Sequence, residues 1–218
     1  CYCPNFVQIF DWFKCTGAQI SASKKKEGPS ALDTGGKKSS IANDVLQYMV
    51  CEFCDHHDLF KFITENQGFL QDETCMRSCL FQIIFAIFLM QHFFGMTHYD
   101  LHDMNVLVSS LDKKEIDYIE YSVGGIHWFV PNVGVVFKLY DYAFSFSDVL
   151  NLSRKGLDDK GAKDGYYAGG IENRFKDFYD MATIATYIMF IVGDMKSETG
   201  KNVPKSVEHF LVHEMMDG

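Results

Sequence analysis

Apolar residues dominate two long stretches of the chain. From Asp72 to about Gly95 they occur at helical spacing and occupy every face, which predicts a helix enclosed by other parts of the protein. A second apolar stretch, Met181 to Val192, is introduced by Asp177 and Asp180 and predicts another buried helix. Shorter helices are predicted over residues 55–63 and 204–216.

Extended segments precede and interrupt these helices. Residues 5–15 and 44–54 predict two strands, and residues 105–109 predict a third. Residues 113–137 alternate in the manner of strands, with Gly124, Gly125 and Pro131 as turn signals, and therefore predict an added hairpin. Strands and helices mixed in this way predict an α+β fold.

Two polar segments separate the predicted elements. Residues 16–42 are rich in Ser, Gly and Lys and predict a mobile loop between the first two strands. The lysines of this loop could form a phosphate-binding patch or a localisation signal, although such a run is more often a solvated loop. Residues 144–173 are polar and contain glycine, which is typical of a long functional loop.

Composition bounds the class of protein. The chain has 218 residues, is 47% hydrophobic and 15% aromatic, and can therefore bury a substantial core. The formal net charge of −9 argues against nucleic-acid binding through the whole surface, although it excludes no local basic patch. We therefore predict no direct nucleic-acid partner.

Seven cysteines raise the question of a metal site. Cys51-x-x-Cys54, with His56 and His57 close by, could suggest zinc. No second pair of this spacing matches it, and both cysteines lie in an apolar strand pattern. We therefore expect reduced, partly buried thiols in an intracellular protein, in the cytoplasm, the nucleus or a virion.

The apolar stretches must also be compared with membrane-spanning helices. Leu80–Met90 and Met181–Val192 are each shorter than the roughly twenty residues of a membrane-spanning helix. The N-terminus carries no secretory signal pattern. We therefore predict no membrane partner. Because the first residue is Cys and an extended pattern begins almost at once, we expect the chain to be a piece of a longer protein.

The segment from Thr97 to Val108 holds the strongest candidate chemistry. It places Asp100 and Asn105 between an apolar helix and an apolar strand, and Asp141 ends a second apolar strand about forty residues later. Two carboxylates and an amide on adjacent loops suit phosphoryl transfer with magnesium, since one carboxylate can orient a hydroxyl while oxygen ligands hold the metal on the phosphates. A simpler interpretation is that Asp100 and Asn105 only cap a turn.

The spacing His98-x-Asp100-x-x-x-x-Asn105, followed by Asp141-Tyr142-Ala143, resembles the signature of protein kinases. The resemblance implies that the chain binds ATP and Mg²⁺, that Asp100 is the catalytic base within a loop containing His98 and His102, and that Asn105 and Asp141 are magnesium ligands. Asp180 is similar to the buried helix acid that anchors the catalytic loop. Asp177 fits that role less well.

The order of elements also resembles a kinase from its fourth strand onward. On this match residues 1–54 are a remnant of the N-terminal lobe and its hinge, and residues 55–218 are the helical C-terminal lobe. Cys51 occupies the gatekeeper position. The resemblance implies that backbone groups of Glu52, Phe53 and Cys54 bind the adenine edge and that Asp58 reaches the ribose.

Among kinases the chain is most similar to the haspin-like group, with some features shared by kinases of large DNA viruses. That similarity lies in Asp100-Leu101-His102, in Asp141-Tyr142-Ala143 and in the insertion over residues 113–137.

Several positions depart from the kinase pattern. Tyr99 replaces the Arg that would pair with a phosphorylated loop, so we predict that activity needs no such phosphorylation. His102 replaces the usual Lys, so the neutralising charge must come from a protonated His102, from metal or from elsewhere. Ala143 replaces a Gly, and Gly170-Ile171-Glu172 is only a weak counterpart of Ala-Pro-Glu. No glycine-rich phosphate loop occurs in these residues.

Three functions follow from this pattern. The first is a Ser/Thr protein kinase acting on a protein substrate. The second is a pseudokinase or structural viral component that uses the fold as an interaction platform in a viral or host assembly. The third is a small-molecule phosphotransferase, since a D-L-H loop also occurs there.

Overall fold

The computed structural model describes residues 3–16, 45–150 and 175–199. The described residues combine strands and helices, which confirms the predicted α+β class. The strands are β1 Ile9–Thr16, β2 Val45–Cys51, β3 Met96–Thr97, β4 Val106–Ser110, β5 Tyr118–Val123, β6 Ile126–Pro131, β7 Val135–Leu139 and β8 Phe146–Ser147. The helices are α1 Leu59–Glu65, α2 Glu73–Phe94 and α3 Tyr179–Thr199, and short 3-10 turns occupy Phe69–Gln71, Asp103–Asn105 and Tyr142–Phe144. The predicted loop after residue 16, the Gly170-Ile171-Glu172 segment and the predicted helix 204–216 lie outside the described residues.

The chain divides into two compact units. The smaller unit spans Gln8–Phe53, and the larger one contains residues 1–7 and 54–218. The described part of the smaller unit is the antiparallel pair β1–β2, in which Trp12 faces Met49 and Phe13 stacks on Tyr48. The assignment of kinase lobes to residues 1–54 and 55–218 stays a prediction.

Helix α2 organises the larger unit. The Asp72 carboxylate accepts the N–H of Cys75 at the start of the helix, and Gly95 ends the helix in the left-handed region at φ 50°. By length and composition α2 could cross a membrane, but 61% of its most apolar 18-residue window is buried inside the protein, as in a core helix.

One buried polar side chain of α2 fixes its neighbours. The Gln82 carboxamide accepts the N–H of Phe137 and the Nδ2–H of Asn5, and donates towards Val135 O and Ser78 Oγ. Buried amides are stable only with such partners. The same Asn5 amide donates to Phe137 O at 2.7 Å, so residues 5–7 follow β7.

This arrangement corrects the first predicted strand, which was expected over residues 5–15. The pairing of β1 begins only at Ile9, because Asn5 is drawn into the core of the larger unit. The second predicted strand, residues 44–54, ends at Cys51. Residues after it turn towards β4 instead, since the N–H of His56 donates to Val108 O.

Two further strand pairs lie beside α2. Strands β4 and β7 pair antiparallel with Val106 opposite Leu139, and their buried face includes Val106, Val108, Phe137 and Leu139. Strands β5 and β6 form the predicted hairpin, closed by Gly124 and Gly125 at positive φ. Its inner face packs Tyr121 and Val130 on α2.

Candidate active site

The loop from His98 to Asn105 is anchored by a buried carboxylate. Asp180, in the first turn of α3, accepts the backbone N–H of His98 at 2.8 Å and that of Tyr99 at 2.9 Å, using a different oxygen for each. Burial raises the pKa of Asp180 to about 6, while the two N–H groups act in the opposite direction. Both oxygens of the carboxyl group accept N–H donors, as an ionised carboxylate does. Asp177 is exposed.

His98 is a buried, neutral histidine that joins two loops. Its Nε2 lies 2.9 Å from Tyr140 O, and its Nδ1 lies 3.4 Å from the backbone N of Asp100. Since a carbonyl only accepts, Nε2 carries the proton and Nδ1 accepts. Burial lowers the pKa of His98 to about 4, although Tyr140 O and the charge of Asp141 act against this change. These contacts give His98 a positioning part in the loop.

Asp100 and Asn105 are held directly against each other. The Nδ2 group of Asn105 donates to Asp100 O at 2.8 Å and lies 3.3 Å from Asp100 Oδ2. The Asn105 side chain is buried, while the Asp100 carboxylate keeps 15% of its surface exposed. A carboxylate oriented by an amide and open to solvent on one side can accept a hydrogen bond from an incoming hydroxyl.

His102 lies beside this carboxylate. Its Nε2 is 3.9 Å from Asp100 Oδ1, and its Nδ1 accepts the N–H of Met104 at 3.2 Å. The neighbouring Asp103 is buried, and that burial raises the pKa of its carboxyl group. The backbone N–H of His102 donates to Asp100 O at 3.0 Å, which keeps the imidazole ring beside the Asp100 carboxylate.

Asp141 lies at the end of β7 that faces Asn105. The N–H of Tyr140 donates to Asn105 O at 3.0 Å, so the residue before Asp141 is opposite Asn105. Asp141 has φ 61° and ψ 70°, is exposed, and accepts the N–H of Ala143 at 3.3 Å. The β4–β7 pair thus brings the loop that holds Asp100, His102 and Asn105 to the same sheet end as Asp141.

This donor set fits a magnesium ion. Because Asn105 commits its NH₂ group to Asp100, its Oδ1 is the atom that could face a cation. Asp141 adds an exposed carboxylate. Mg²⁺ prefers one or two protein oxygens completed by water and phosphate, so a two-residue site is sufficient. In the part of the chain that the structure describes, no group of three or more His, Cys, Asp or Glu side chains could hold a metal.

The cysteine pattern gives no support to a zinc site within that part of the chain. The described cysteines are free thiols, including Cys51 and Cys54. Burial raises the pKa of Cys75 to about 11 and that of Cys79 further still, so both thiols are protonated at neutral pH.

The residues predicted to bind the nucleoside are divided between the two units. Glu52 and Phe53 belong to the smaller unit, where the Glu52 carboxylate accepts the N–H of Gln8 and Phe53 is exposed. Cys54 and Asp58 belong to the larger unit. Asp58 bridges to Leu107 on β4 and caps α1 by accepting the N–H of Lys61 at 2.8 Å. The roles of these four residues stay predictions.

Three residues of the site were not singled out from the sequence. Tyr140 acts through its backbone, which no side-chain pattern reveals. Thr97 accepts the N–H of Lys176 through Oγ1, a contact between distant segments. Tyr187 lies with its ring 5.8 Å from that of His102, and its place two helical turns after Asp180 is a signal that could have indicated a shared helix face.

Comparison with known proteins gives a partial relationship. No protein-family model matches the chain. It is 27% identical over 174 residues to "Probable serine/threonine-protein kinase 380R" of Invertebrate iridescent virus 6, covering 68% of this chain and 33% of that protein. It is also 27% identical over 114 residues to "Putative serine/threonine-protein kinase R400" of Acanthamoeba polyphaga mimivirus, covering 50% of this chain and 24% of that protein.

The chain therefore spans a third or less of the length of these two curated relatives. Within that span, the similarity relates it to viral proteins named as serine/threonine kinases and supports a kinase-like relationship.

Proposed function

We propose that the chain carries the phosphoryl-transfer residues of an ATP-dependent serine/threonine protein kinase with a kinase-like fold. The observation that carries the proposal is the arrangement of Asn105, whose side chain orients Asp100 and whose backbone oxygen pairs with the residue before Asp141. The similarity to viral proteins named as kinases supports the same class. The loop Asp100-Leu101-His102 and the β5–β6 hairpin favour a haspin-like kinase.

In this proposal Asp100 orients the acceptor hydroxyl and takes its proton. A bond forms between the hydroxyl oxygen and the γ-phosphorus of ATP, the bond from that phosphorus to the bridging oxygen breaks, and ADP leaves. Asn105 keeps Asp100 in position and, with Asp141, would hold Mg²⁺. The metal would supply positive charge against the phosphates. Asp180 keeps the loop backbone in place.

Replacement of Asp100 and Asp141 in the complete protein tests these roles. Asp100→Ala and Asp141→Ala are expected to lower Mg-ATP-dependent phosphorylation by on the order of 100-fold or more, because a proton acceptor and a metal ligand are lost. Asp117→Asn, an exposed acid on the hairpin, is the matched control and should keep wild-type turnover. Wild-type turnover in both of the first two variants would contradict the roles.

Measurements of Mg-ATP binding and of transfer to small molecules separate the other two functions. Mg-ATP binding without any phosphoryl transfer would indicate an interaction platform. Transfer to a small molecule but to no protein would indicate a small-molecule phosphotransferase.

A further inference from the structure

Tyr99 directly precedes Asp100 in the candidate loop and contacts the start of α3. Its side chain is 1% exposed, and its ring centroid lies 5.0 Å from that of Tyr179 at the start of α3. Lys176 Nζ lies 5.5 Å from the centroid of the Tyr179 ring. Aromatic pairs and cation–π contacts at such distances are attractive.

A second set of contacts joins the same two segments. Thr97 Oγ1 accepts the N–H of Lys176 at 2.9 Å and lies 3.3 Å from Lys176 O, to which it can donate. The Asp180 carboxylate accepts the N–H groups of His98 and Tyr99. Residues 97–99 are therefore tied to residues 176–180 by both backbone and side-chain contacts.

Both segments contain a residue in an unfavourable backbone conformation. Tyr99 has φ 65° and Phe178 has φ 60°, in the left-handed region that bulky residues rarely adopt. Such conformations persist only where surrounding contacts determine them. The Tyr99–Tyr179 ring contact and the hydrogen bonds to the Asp180 carboxylate join these two segments.

We propose that Tyr99 is a positioning residue for the phosphoryl-transfer reaction. Tyr99, Tyr179, Lys176 and Thr97 form what we term the aromatic clamp, which fixes the backbone immediately before Asp100 against the start of α3. This inference rests on the proposed function. Tyr99 stands where the kinase pattern has an Arg. In this inference, ring packing fixes the loop in place of the charge pair between that Arg and a phosphorylated loop.

The aromatic clamp has a consequence for kinetics. Packing between the Tyr99 and Tyr179 rings needs no added phosphate group, so activity should be the same before and after phosphatase treatment. Loss of the Tyr99 ring would let Asp100 move relative to its acceptor, and misplacement of about 1 Å can cost on the order of 100-fold in rate. The loss should fall in kcat, because Tyr99 directly precedes Asp100, which acts on the acceptor hydroxyl in the proposed assignment.

The test compares Tyr99→Ala, Tyr99→Phe and Tyr121→Ala in the complete protein. Tyr121 is also fully buried, but it lies on β5 and packs against Phe85 of α2, so it serves as the matched control. We expect Tyr99→Ala to lose on the order of tenfold or more in kcat with an unchanged KM for Mg-ATP, and Tyr99→Phe, which keeps the ring, to lose less than Tyr99→Ala. Tyr121→Ala should lower the melting temperature and keep kcat.

Amide hydrogen exchange gives a readout that does not depend on catalysis. Tyr99→Ala should accelerate exchange at the His98, Tyr99 and Asp100 amides, whereas Tyr121→Ala should not. If Tyr99→Ala is too unstable to purify, Tyr179→Ala removes the other ring of the pair and should accelerate the same amides. If the wild type transfers no phosphate, the proposed function fails, and exchange at these amides still decides the aromatic clamp.

Two results would overturn the inference. One is a Tyr99→Ala protein with wild-type kcat and wild-type amide exchange. The other is an equal loss of kcat in Tyr99→Ala and Tyr121→Ala at equal loss of melting temperature, which would reduce Tyr99 to a general stabilising residue.

Discussion

At the scale of single residues, Asp180 anchors the candidate loop although it is far from that loop in sequence. It has no exposed surface, and its two oxygens hold the two amides that precede Asp100. A carboxylate accepts at both oxygens, whereas a carboxamide accepts at one only.

Asp180→Asn should therefore lower both stability and activity. One of the two N–H groups would lose its acceptor, at a cost of about 1–3 kcal/mol in the free energy of unfolding. We expect kcat to fall as well, because the backbone before Asp100 is released. Denaturant unfolding and steady-state kinetics check this. Asp177→Asn, an exposed neighbour, is the control, and an equal effect in both variants would contradict the anchoring role.

His98 predicts a dependence of stability on pH. Its pKa is lowered to about 4 in the folded protein, against about 6.5 for an ordinary histidine. The unfolded state therefore binds the proton more readily than the folded state. The stability that neutral His98 provides is fully present above about pH 6.5 and is lost as the pH falls towards 4, on the order of 3 kcal/mol in all.

The difference between wild type and His98→Gln isolates this effect. Asp180 titrates in the opposite sense, since its pKa is raised to about 6, and the comparison of the two proteins largely removes its contribution. We expect the stability advantage of wild type to shrink between pH 6.5 and 4. His92→Gln, at an exposed position of α2, is the control for a histidine-to-glutamine exchange. A constant difference across that range would show that His98 does not titrate in this way.

At the scale of elements, the end of α2 sets the start of the candidate loop. Gly95 has φ 50°, and a Cβ at this position would lie 3.2 Å from Val149 Cγ2. Gly95→Ala should lower the free energy of unfolding by about 1 kcal/mol or more through the left-handed backbone alone. Gly68→Ala is the matched control, because Gly68 has open space around it and φ −77°. It should be neutral or slightly stabilising in thermal unfolding.

Elements governed by local signals were predicted well. The predicted helix over 72–95 is confirmed as Glu73–Phe94, since Asp72 and Gly95 act as its caps. The predicted helix over 181–192 is present but longer, as Tyr179–Thr199. The first two strands were placed too broadly, because Asn5 and His56 bond to residues far away in sequence. No local pattern contains those contacts.

The candidate site also combines features that the sequence shows with features that arise only from tertiary contacts. The spacing of Asp100, Asn105 and Asp141 is a feature of the sequence, and it was enough to single them out. Their mutual orientation depends on Tyr140 and Asp180, which reach the loop through tertiary contacts. The catalytic and metal-binding roles of these residues stay predictions for the variants above to test.

At the scale of the whole molecule, nucleotide binding should appear as stabilisation. A ligand that binds only the folded state raises stability by about 2.7 kcal/mol when its concentration is 100 times Kd. We expect Mg-ATP to raise the melting temperature more than ATP with a chelator. Asn105→Ala should remove the magnesium-dependent part. Asn132→Ala, which removes hairpin hydrogen bonds to Asp112 and Ile116, should lower the starting melting temperature and keep the shift.

The comparison with viral proteins extends over a third or less of their length. The described residues contribute the Asp100 carboxylate, the Asn105 amide beside it and a second acid, Asp141.

The register of β4 against β7 has a consequence for how this protein could vary. Val106 faces Leu139, so backbone pairing alone fixes the spacing between Asn105 and Asp141. Residues 111–134 connect the end of β4 to the start of β7 and lie outside this strand pair. Insertions or deletions there change loop length without altering the ladder, whereas a single-residue deletion within β4 would displace one half of the site from the other. Natural length variation should therefore concentrate in the hairpin.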